Sequence, residues 1–222
     1  MSYVLHIGDH AYSSWSLRGW LLLAAFDLPV ETRLHHVYSA EMDAFRAELP
    51  PAATVPALEW VEGGERVVLW DSLAIAETLA ERHPAAGHWP SGPAPRAAAR
   101  ALVAEMHSGF RALRAEAPMN TRRDRRPAPL SEAARADLAR LSTLWGWARE
   151  RFGGDGPFLF GARLTAADAF FAPIVWRVFA YDLAMPQADI AYLRALRDHP
   201  AMRDWAAAAD ADTRGIARYD AI

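Results

Sequence analysis

The sequence contains no cysteine and no lysine among its 222 residues. Without cysteine, the chain can form no disulfide, no thiolate metal site and no thiol nucleophile of its own. A sulfur atom that takes part in its chemistry must therefore arrive with a ligand. Without lysine, any mechanism that passes through a Schiff base on a protein lysine is excluded, and all 24 basic residues are arginine.

Long apolar runs and a signal peptide are also missing. No apolar stretch approaches the roughly 20 residues that cross a bilayer, and the N-terminus lacks a basic stretch followed by a long apolar segment. We therefore expect a cytoplasmic protein without a membrane partner. His-Glu metal spacing, a phosphate loop and a dinucleotide fingerprint are absent from the sequence as well, so neither a metal nor a nucleotide cofactor is expected.

Charge divides the chain into two parts. Residues 1–90 contain five Arg against twelve Asp plus Glu, and residues 91–222 contain nineteen against fifteen, which gives formal balances of −7 and +4. The arginines of the second part are spread among acidic residues, a pattern that indicates a solvated surface rather than a nucleic-acid site. A stretch rich in proline and glycine between the parts predicts a linker. We place a first domain at 1–84, the linker at 85–94 and a second domain at 95–222.

Hydrophobic periodicity in the first part predicts strands and helices in the order βαβαββα. The predicted strands are at 3–7, 32–37, 55–60 and 66–70, and the predicted helices are at 14–27, at 41–49 and from 72 onwards. Pro29 and Pro50 bar the first two helices from continuing, and Gly63-Gly64 predicts a hairpin turn between the last two strands. The first two strands flank a helix, so we expect them to be parallel.

The second part shows helical periodicity throughout. Helices are predicted at about 95–117, 131–152, 165–182, 190–197 and 201–209. Their aromatic residues recur at helical spacing, which indicates a core rather than a cofactor site. Thr165 and Asp168 have the spacing of an N-terminal capping box, with Asp in place of the usual Glu or Gln, so we assign this pair to folding.

Ser13 and Ser14 stand at the start of the first predicted helix. Backbone N–H groups and the positive end of the helix dipole favour a negative partner at such a position. A thiolate carried by a ligand is one such partner. The simpler alternative is that one of the two serines only caps the helix.

Several motifs occur in the same order as in the cytosolic glutathione transferases. They are Ser13-Ser14-Trp15-Ser16-Leu17-Arg18, Thr54-Val55-Pro56-Ala57-Leu58, Asp71-Ser72 and Thr165-Ala166-Ala167-Asp168. The chain resembles this family over nearly its whole length, and it is most similar to bacterial members of the serine-type classes, the zeta and tau groups. The resemblance implies a thioredoxin-like βαβαββα domain followed by an all-helical domain, glutathione as co-substrate, a homodimer and a transferase role in detoxification.

The resemblance also implies roles for residues of the first domain. Ser13 aligns with the residue that donates a hydrogen bond to the glutathione sulfur, and Ser14 is the second candidate. Val55 would offer backbone groups to the cysteinyl part of glutathione beside a cis Pro56, and Trp15 would lie at the same site.

The γ-glutamyl end of glutathione would be held by the Asp71-Ser72 pair. By the resemblance, Ser72 and the amides after it would bind the carboxylate at a helix N-terminus, and Asp71 would engage the ammonium group. The alternative for this pair is a plain helix cap.

One position departs from the family pattern. A lysine expected near the glycyl carboxylate of glutathione is Thr54 here. Arg33, His35 and His36 are the nearest candidates in sequence to replace it, although a histidine pair beside a strand is more often solvated or structural. The serine motif also lacks a cysteine for a mixed disulfide with glutathione, which argues against an omega-type thioltransferase.

The pocket for the electrophile is expected between the two domains, against Trp15 and the first helix of the second domain. The candidate lining residues on that helix are Met106, His107, Phe110, Arg111 and Arg114. The last two share a helical face with His107. The arginines of the next loop, Arg122, Arg123, Arg125 and Arg126, either face solvent or attract an anionic electrophile.

We therefore expect an enzyme that activates glutathione as a thiolate for attack on a small organic electrophile. One alternative is a glutathione-dependent isomerase of the zeta kind, similar to maleylacetoacetate isomerase. Another is a non-catalytic protein that binds glutathione or another ligand, and the missing lysine speaks for this alternative.

Overall fold

The computed structural model describes residues 2–50 and 52–222. The first part contains the strands β1 (Tyr3–Ile7), β2 (Val30–Leu34), β3 (Ala57–Glu62) and β4 (Glu65–Trp70) and the helices α1 (Ser14–Ala24), α2 (Ala40–Glu48) and α3 (Ser72–Arg82). The predicted order βαβαββα is confirmed. Within the described residues, no helix is long and apolar enough to cross a membrane.

The four strands form one mixed sheet in the order β2-β1-β3-β4. β1 is parallel to β2, with Tyr3 opposite Val30, as a strand-helix-strand crossover predicts. β3 is antiparallel to both β1 and β4. The tight turn between β3 and β4 uses Gly63 and Gly64 at positive φ, +59° and +86°, which glycine adopts without strain. The strand predicted at 32–37 begins and ends earlier because its mostly exposed side chains give no alternation to mark its ends.

The second part is helical. Its helices are α4 (Pro93–Ser108), α5 (Arg111–Glu116), α6 (Glu132–Ala148), α7 (Ala166–Phe171), α8 (Pro173–Ala180), α9 (Gln187–Arg197), α10 (Pro200–Ala211) and α11 (Ala217–Asp220). A turn of 3₁₀ helix at Pro84–Ala86 follows α3, and a wider π-type turn at Arg149–Gly153 follows α6. The fold is thus a thioredoxin-like domain followed by a helical domain. We propose that the boundary lies within 85–94, because this segment joins the last helix of the sheet domain to α4.

Two of the predicted helices are broken. The helix predicted at 95–117 is divided at Gly109 and Phe110, because Phe110 has a φ of +57°, outside the right-handed helical region. The helix predicted at 165–182 is divided before Pro173, whose nitrogen cannot donate a hydrogen bond into the preceding turn.

α1 joins the two domains. It packs against β1 and α3 and also against α7, α8 and α10 of the second domain. Leu17, Leu21 and Leu22 of α1 are completely buried, and each leucine buried in this way contributes about 1.5–3 kcal/mol to folding. The N-terminal end of α1 is therefore held in a fixed position with respect to both domains.

Asp168 ties the start of α7 to its surroundings. The predicted capping box with Thr165 is present. Oδ2 of the fully buried Asp168 accepts hydrogen bonds from the N–H and the hydroxyl of Thr165, both at 2.8 Å. Oδ1 accepts from the Leu159 N–H at 3.2 Å and from the Tyr192 hydroxyl at 3.1 Å. Burial raises the pKa of Asp168, although these donors act in the opposite direction.

Burial also affects most of the histidines. Six of them have a pKa lowered from the ordinary value of 6.5, with burial as the largest cause in each case. They are His6, His10, His35, His83, His88 and His199. His88 is 1% exposed, and its Nε2 lies 2.8 Å from the carbonyl oxygen of Leu22. The folded protein therefore favours the neutral form of these side chains.

Candidate functional site

A cavity of about 870 Å³ lies where the N-terminal ends of α1 and α3 face α4 and α5. Apart from the three candidates to replace the lysine, the residues predicted on the first-domain side line it, namely Ser13, Ser14, Trp15, Thr54, Val55, Pro56, Asp71 and Ser72. Of the residues predicted for the second substrate, His107, Arg111 and Arg114 also line it. The fold thus brings together segments that are far apart in the sequence.

Met106 and Phe110 do not line this cavity, in contrast to the sequence-based expectation. Met106 is completely buried and Phe110 is 5% exposed, and both belong to the hydrophobic core. Met106 lies on the buried face of α4, whereas the break after α4 turns the apolar Phe110 inward and starts a new helix. Arg111 and Arg114 consequently reach the cavity from α5, whereas His107 reaches it from α4.

Ser13 is the N-cap of α1 and is half-buried. Its hydroxyl donates to Oγ of Ser16 at 2.7 Å, and its oxygen accepts from the Ser16 N–H at 3.3 Å. Ser16 Oγ also accepts from the Gly8 N–H at 2.9 Å. The capping role is therefore real, and it leaves the Ser13 hydroxyl on the cavity wall with a proton that can rotate. Ser14 lines the cavity beside it and is 8% exposed.

Gly19 sets the distance between α1 and the segment before β3. The peptide bond between Val55 and Pro56 is cis, as the family resemblance implied. A Cβ atom at position 19 would lie 2.6 Å from Cβ of Pro56, so a larger residue would push the two segments apart. This close contact holds Ser13 and Val55 on the same cavity.

Asp71 caps α3 and joins it to the second domain. Its Oδ1 accepts from the Leu73 N–H at 2.8 Å, and its Oδ2 lies 3.1 Å from Nε2 of His107. Asp71 has a φ of +75°, a conformation that non-glycine residues adopt rarely and at a cost. Asp71 therefore caps α3 and contacts His107, and its contact with the ammonium group of glutathione stays a prediction.

Ser72 has a different environment from its neighbour Asp71. It is 1% exposed and lies at the first position of α3, on the cavity. Its Oγ has no hydrogen-bond partner within the described residues. A buried hydroxyl without a partner costs free energy, and the N-terminus of an 11-residue helix favours an anion. The two observations mark this end of the cavity for a polar, negatively charged group.

Arginines dominate the wall formed by the second domain. Arg177 of α8 lines the cavity together with Arg111 and Arg114, although it is only 3% exposed. Its Nη1 donates to the carbonyl oxygen of Arg114 at 3.3 Å and to that of Ala117. Sequence reasoning missed Arg177. The available signal was a single charged residue within the otherwise apolar α8.

Trp15 lies against Arg114 of the cavity wall and against Arg18, which is buried beneath it. The guanidinium carbons of Arg18 and Arg114 are 4.3 and 4.5 Å from its ring centroid, and the His107 ring lies 5.1 Å away. Arg18 is completely buried, and its Nε donates to the carbonyl oxygen of Phe170 at 3.0 Å. Burial lowers the pKa of Arg18 and of Arg114 below the ordinary arginine value.

Arg46 of α2 lies beside Thr54, the position at which the family pattern has a lysine. It lines the cavity together with Thr54, and its Nε donates at 3.1 Å to the carbonyl oxygen of the residue before Thr54. The three candidates proposed from sequence, Arg33, His35 and His36, are bound to other side chains and do not line the cavity. Arg46 was missed because its proximity depends on how α2 packs.

The C-terminal segment covers one side of the cavity. Tyr219 of the unpredicted α11 lines it together with Tyr12 and Tyr38. The Tyr219 hydroxyl lies 3.3 Å from that of Tyr38, and its ring stacks on Tyr12 at 5.6 Å. The Tyr12 hydroxyl donates to Asp220 at 2.8 Å and accepts from Arg122 at 3.0 Å.

Two other charged clusters lie outside the cavity. The loop arginines 122, 123, 125 and 126 bind mainly carbonyl oxygens and Asp182, and they do not line the cavity. Asp9, His36 and Asp212 place three potential ligand atoms within 4.8 Å of one another. However, Arg214 donates to Asp9 at 2.7 Å and lies 2 residues from Asp212. The Arg214 guanidinium therefore already supplies a positive charge beside these carboxylates.

Comparisons with known proteins agree with this architecture. The profile of the glutathione S-transferase N-terminal domain matches residues 12–82. A comparison with curated proteins gives no match. A glutathione transferase homolog from Burkholderia gl BGR1, solved with bound glutathione, superposes with a TM-score of 0.69 at 24% identity, over 96% of this chain and 100% of the other.

Two further solved structures extend the comparison. Maleylacetoacetate isomerase from Anaeromyxobacter dehalogenans 2CP-1, with dicarboxyethyl glutathione and citrate bound in its active site, has a TM-score of 0.66 at 27% identity, over 96% of this chain and 99% of the other. Glutathione transferase Omega 3C from Trametes versicolor shares the fold, with a TM-score of 0.68 at 19% identity over 92% and 89%. The domain match and the solved structures lead to one conclusion: residues 12–82 form a glutathione S-transferase N-terminal domain, and the whole chain has the two-domain fold of the glutathione transferases that it resembles.

Proposed function

We propose that this protein binds glutathione and activates its thiol for reaction with a small organic electrophile. One observation carries the proposal. Ser13 at the N-terminus of α1, the backbone at Val55 and Ser72 at the N-terminus of α3 all open onto a single cavity. The bound glutathione of the Burkholderia relative and of the isomerase supports the choice of ligand.

The first domain supplies a place for each end of glutathione. Ser72 and the amides at the start of α3 would take the γ-glutamyl carboxylate, which would give the unpartnered Ser72 hydroxyl a charged partner. Val55 would pair with the cysteinyl backbone. Arg46 and Thr54, which also line the cavity, would face the glycyl carboxylate, and Arg46 would provide the positive charge for which the family uses lysine.

Ser13 would activate the thiol. A free thiol has a pKa near 8.5, so only a few per cent is thiolate at neutral pH. In the free protein, the Ser13 hydroxyl donates to Ser16 Oγ at 2.7 Å. If the Ser16 hydroxyl donates to Ser13 Oγ instead, the Ser13 proton becomes available to the glutathione sulfur. The same distance between the two oxygens fits both directions of the hydrogen bond. The N-terminal end of α1 adds a favourable field for the anion. This is the role of the serine-type classes, and Ser14 remains the second candidate for it.

The homodimer, the role in detoxification and the cytoplasmic location are further parts of the proposal. β4 is an edge strand of the sheet, and Trp70 at its end is 40% exposed although it is large and apolar. A second copy of the chain that covered this edge would bury both features.

Isomerisation is a second candidate reaction. It is favoured by the likeness to maleylacetoacetate isomerase at 27% identity and by the arginines of the second-domain wall. An isomerase of this kind would use the same thiolate and release glutathione unchanged. A protein that binds glutathione without activating it is the non-catalytic alternative.

Calorimetric titration with glutathione followed by ultraviolet titration of the bound thiol tests the proposal. We expect binding, and a pKa of the bound thiol below 8.5. Binding with an unshifted thiol would favour the non-catalytic alternative. Absence of binding by the folded protein would refute the proposed function. Product analysis with a cis-trans isomerisable electrophile then separates conjugation from isomerisation.

A further inference from the structure

Asp71 is the only carboxylate among the described residues that line the cavity. Four arginines line the same cavity, namely Arg46, Arg111, Arg114 and Arg177. An ammonium group that leaves water for a partly buried site needs an anion beside it. Among these lining residues, Asp71 is therefore the one that can pair with a cationic group of a ligand.

The two oxygens of this carboxylate have different partners. Oδ1 accepts from the backbone N–H of Leu73 at 2.8 Å and from that of Ala74 at 3.4 Å, and both contacts belong to the cap of α3. Oδ2 takes no part in the cap and lies 3.1 Å from Nε2 of His107. The Asp71 side chain is 43% exposed, and Oδ2 is the oxygen that the cap leaves for a ligand.

His107 reaches Oδ2 from the second domain. It lies in the last turn of α4, and its ring centroid is 5.1 Å from that of Trp15 and 6.2 Å from that of Phe170. Its Nδ1 is buried and has no hydrogen-bond partner within the described residues. A hydrogen bond from the ring to Oδ2 requires a proton on Nε2, so a second proton is added at Nδ1 and makes the ring a cation.

The other charged groups around His107 are cationic. Charged side chains come towards it from α1, α3, α5 and α8, and they are Arg18, Asp71, Arg111, Arg114 and Arg177. Glu105 of its own helix is paired with Arg140 at 2.6 Å, and α7 presents the Phe170 ring. Protonation of His107 therefore adds one more positive charge to a wall that already carries several.

Glutathione would bring a second donor to the same oxygen. In the proposed binding mode, the γ-glutamyl carboxylate lies at Ser72, and the ammonium group is attached to the carbon that carries this carboxylate. Asp71 is the neighbour of Ser72 in the chain, and its Oδ2 is the acceptor left for that ammonium group. Two nitrogens that donate to one oxygen are no more than about 6 Å apart, twice the length of one hydrogen bond. Two positive charges at this separation repel each other.

We propose that His107 and the ammonium group of glutathione compete for Oδ2 of Asp71. This inference rests on the proposed function. The cationic form of His107 opposes binding and the neutral form permits it, so binding to the cationic form releases the Nδ1 proton to solvent. Protons favour the form that opposes binding. The affinity for glutathione therefore falls as the pH falls through the range of about 5–8 in which imidazole changes its charge.

The test uses two ligands that differ in one amino group. S-Methylglutathione has no thiol to titrate, and N-glutaryl-S-methylcysteinylglycine is the same peptide without the ammonium group. By calorimetry, we expect the wild type to bind S-methylglutathione at least about fivefold more weakly at pH 5.5 than at pH 7.5, because like charges at one acceptor repel each other even in a half-exposed site. The ligand without the ammonium group should show no such fall.

Two variants assign the effect to one histidine. His107→Gln keeps a donor to Asp71 but cannot gain a charge, so its affinity for S-methylglutathione should be nearly the same at both pH values. His36→Gln is the matched control, because His36 also pairs with a carboxylate, that of Asp9 at 2.8 Å, but does not line the cavity. It should keep the wild-type fall in affinity.

A proton count on the wild type makes the test independent of the variants. Calorimetry at pH 6.0 in two buffers of different ionisation enthalpy should show proton release on binding of S-methylglutathione and none with the ligand that lacks the ammonium group. Equal affinity of the wild type at both pH values, an equal fall in His107→Gln, or no released proton would overturn the inference while leaving the proposed function intact. Failure of the folded protein to bind S-methylglutathione at either pH would overturn both.

Discussion

Removing the Asp168 carboxylate is expected to destabilise the protein strongly. This side chain is completely buried and accepts four hydrogen bonds, from the N–H and hydroxyl of Thr165, the N–H of Leu159 and the hydroxyl of Tyr192. A helix cap alone is worth about 0.5–2 kcal/mol. Because Asp168→Ala leaves four donors without an acceptor, we expect a loss of about 3–5 kcal/mol. That loss corresponds to a fall in Tm of roughly 6–20 °C for a chain of this size.

Thermal and urea unfolding of Asp168→Ala measure this loss. The exposed Asp155→Ala is the control for removing a carboxylate, and it should change the free energy of unfolding by less than about 0.5 kcal/mol. Glutathione affinity of the folded fraction should stay close to the wild-type value, because Asp168 does not line the cavity. A loss below about 1 kcal/mol would show that the four contacts do not act as a buried network.

Three further outcomes follow from the structure. Ser72→Ala should weaken glutathione binding by about 1–3 kcal/mol in calorimetry, with little change in the pKa of the bound thiol; unchanged affinity would mean that Ser72 does not contact the γ-glutamyl carboxylate. Arg46→Gln should weaken glutathione binding but leave γ-glutamylcysteine, which lacks the glycyl carboxylate, almost unaffected; equal effects on both peptides would remove Arg46 from the site. Stability should fall as pH drops below 6.5, because the unfolded chain binds protons that the six histidines with a lowered pKa resist in the folded state. For His88 the cost is up to about 1.4 kcal/mol per pH unit, so Tm measured from pH 7.5 to 5.5 should decrease, and less steeply in His88→Gln.

The first-domain half of the site could be predicted from sequence because its residues stand at the ends of regular elements. Ser13 and Ser72 begin helices, and Val55 precedes a proline just before a strand. The order of strands and helices then determines that these ends meet at one edge of the sheet. Local pattern and topology were sufficient for this half.

The second-domain half depends on packing that the sequence pattern does not encode. Helical periodicity predicts one helix over 95–117. The positive φ of Phe110 ends the first helix there, and the Phe110 side chain turns into the core. Arg177 and Tyr219 reach the cavity from α8 and α11, which contain none of the motifs. Their contribution follows only from how the helices pack around α1.

The pKa of the glutathione thiol bound to Ser13→Ala and to Ser14→Ala tests the central claim most directly. Loss of a hydrogen bond to a charged group is worth about 1.5–3 kcal/mol, so ultraviolet titration should show a thiol pKa roughly one to two units higher in Ser13→Ala than in the wild type. Glutathione should still bind, Ser14→Ala should change the pKa much less, and the conjugation rates of all three proteins should converge at high pH. An unchanged thiol pKa in Ser13→Ala, or a larger rise in Ser14→Ala, would contradict the assignment of Ser13 as the group that activates glutathione.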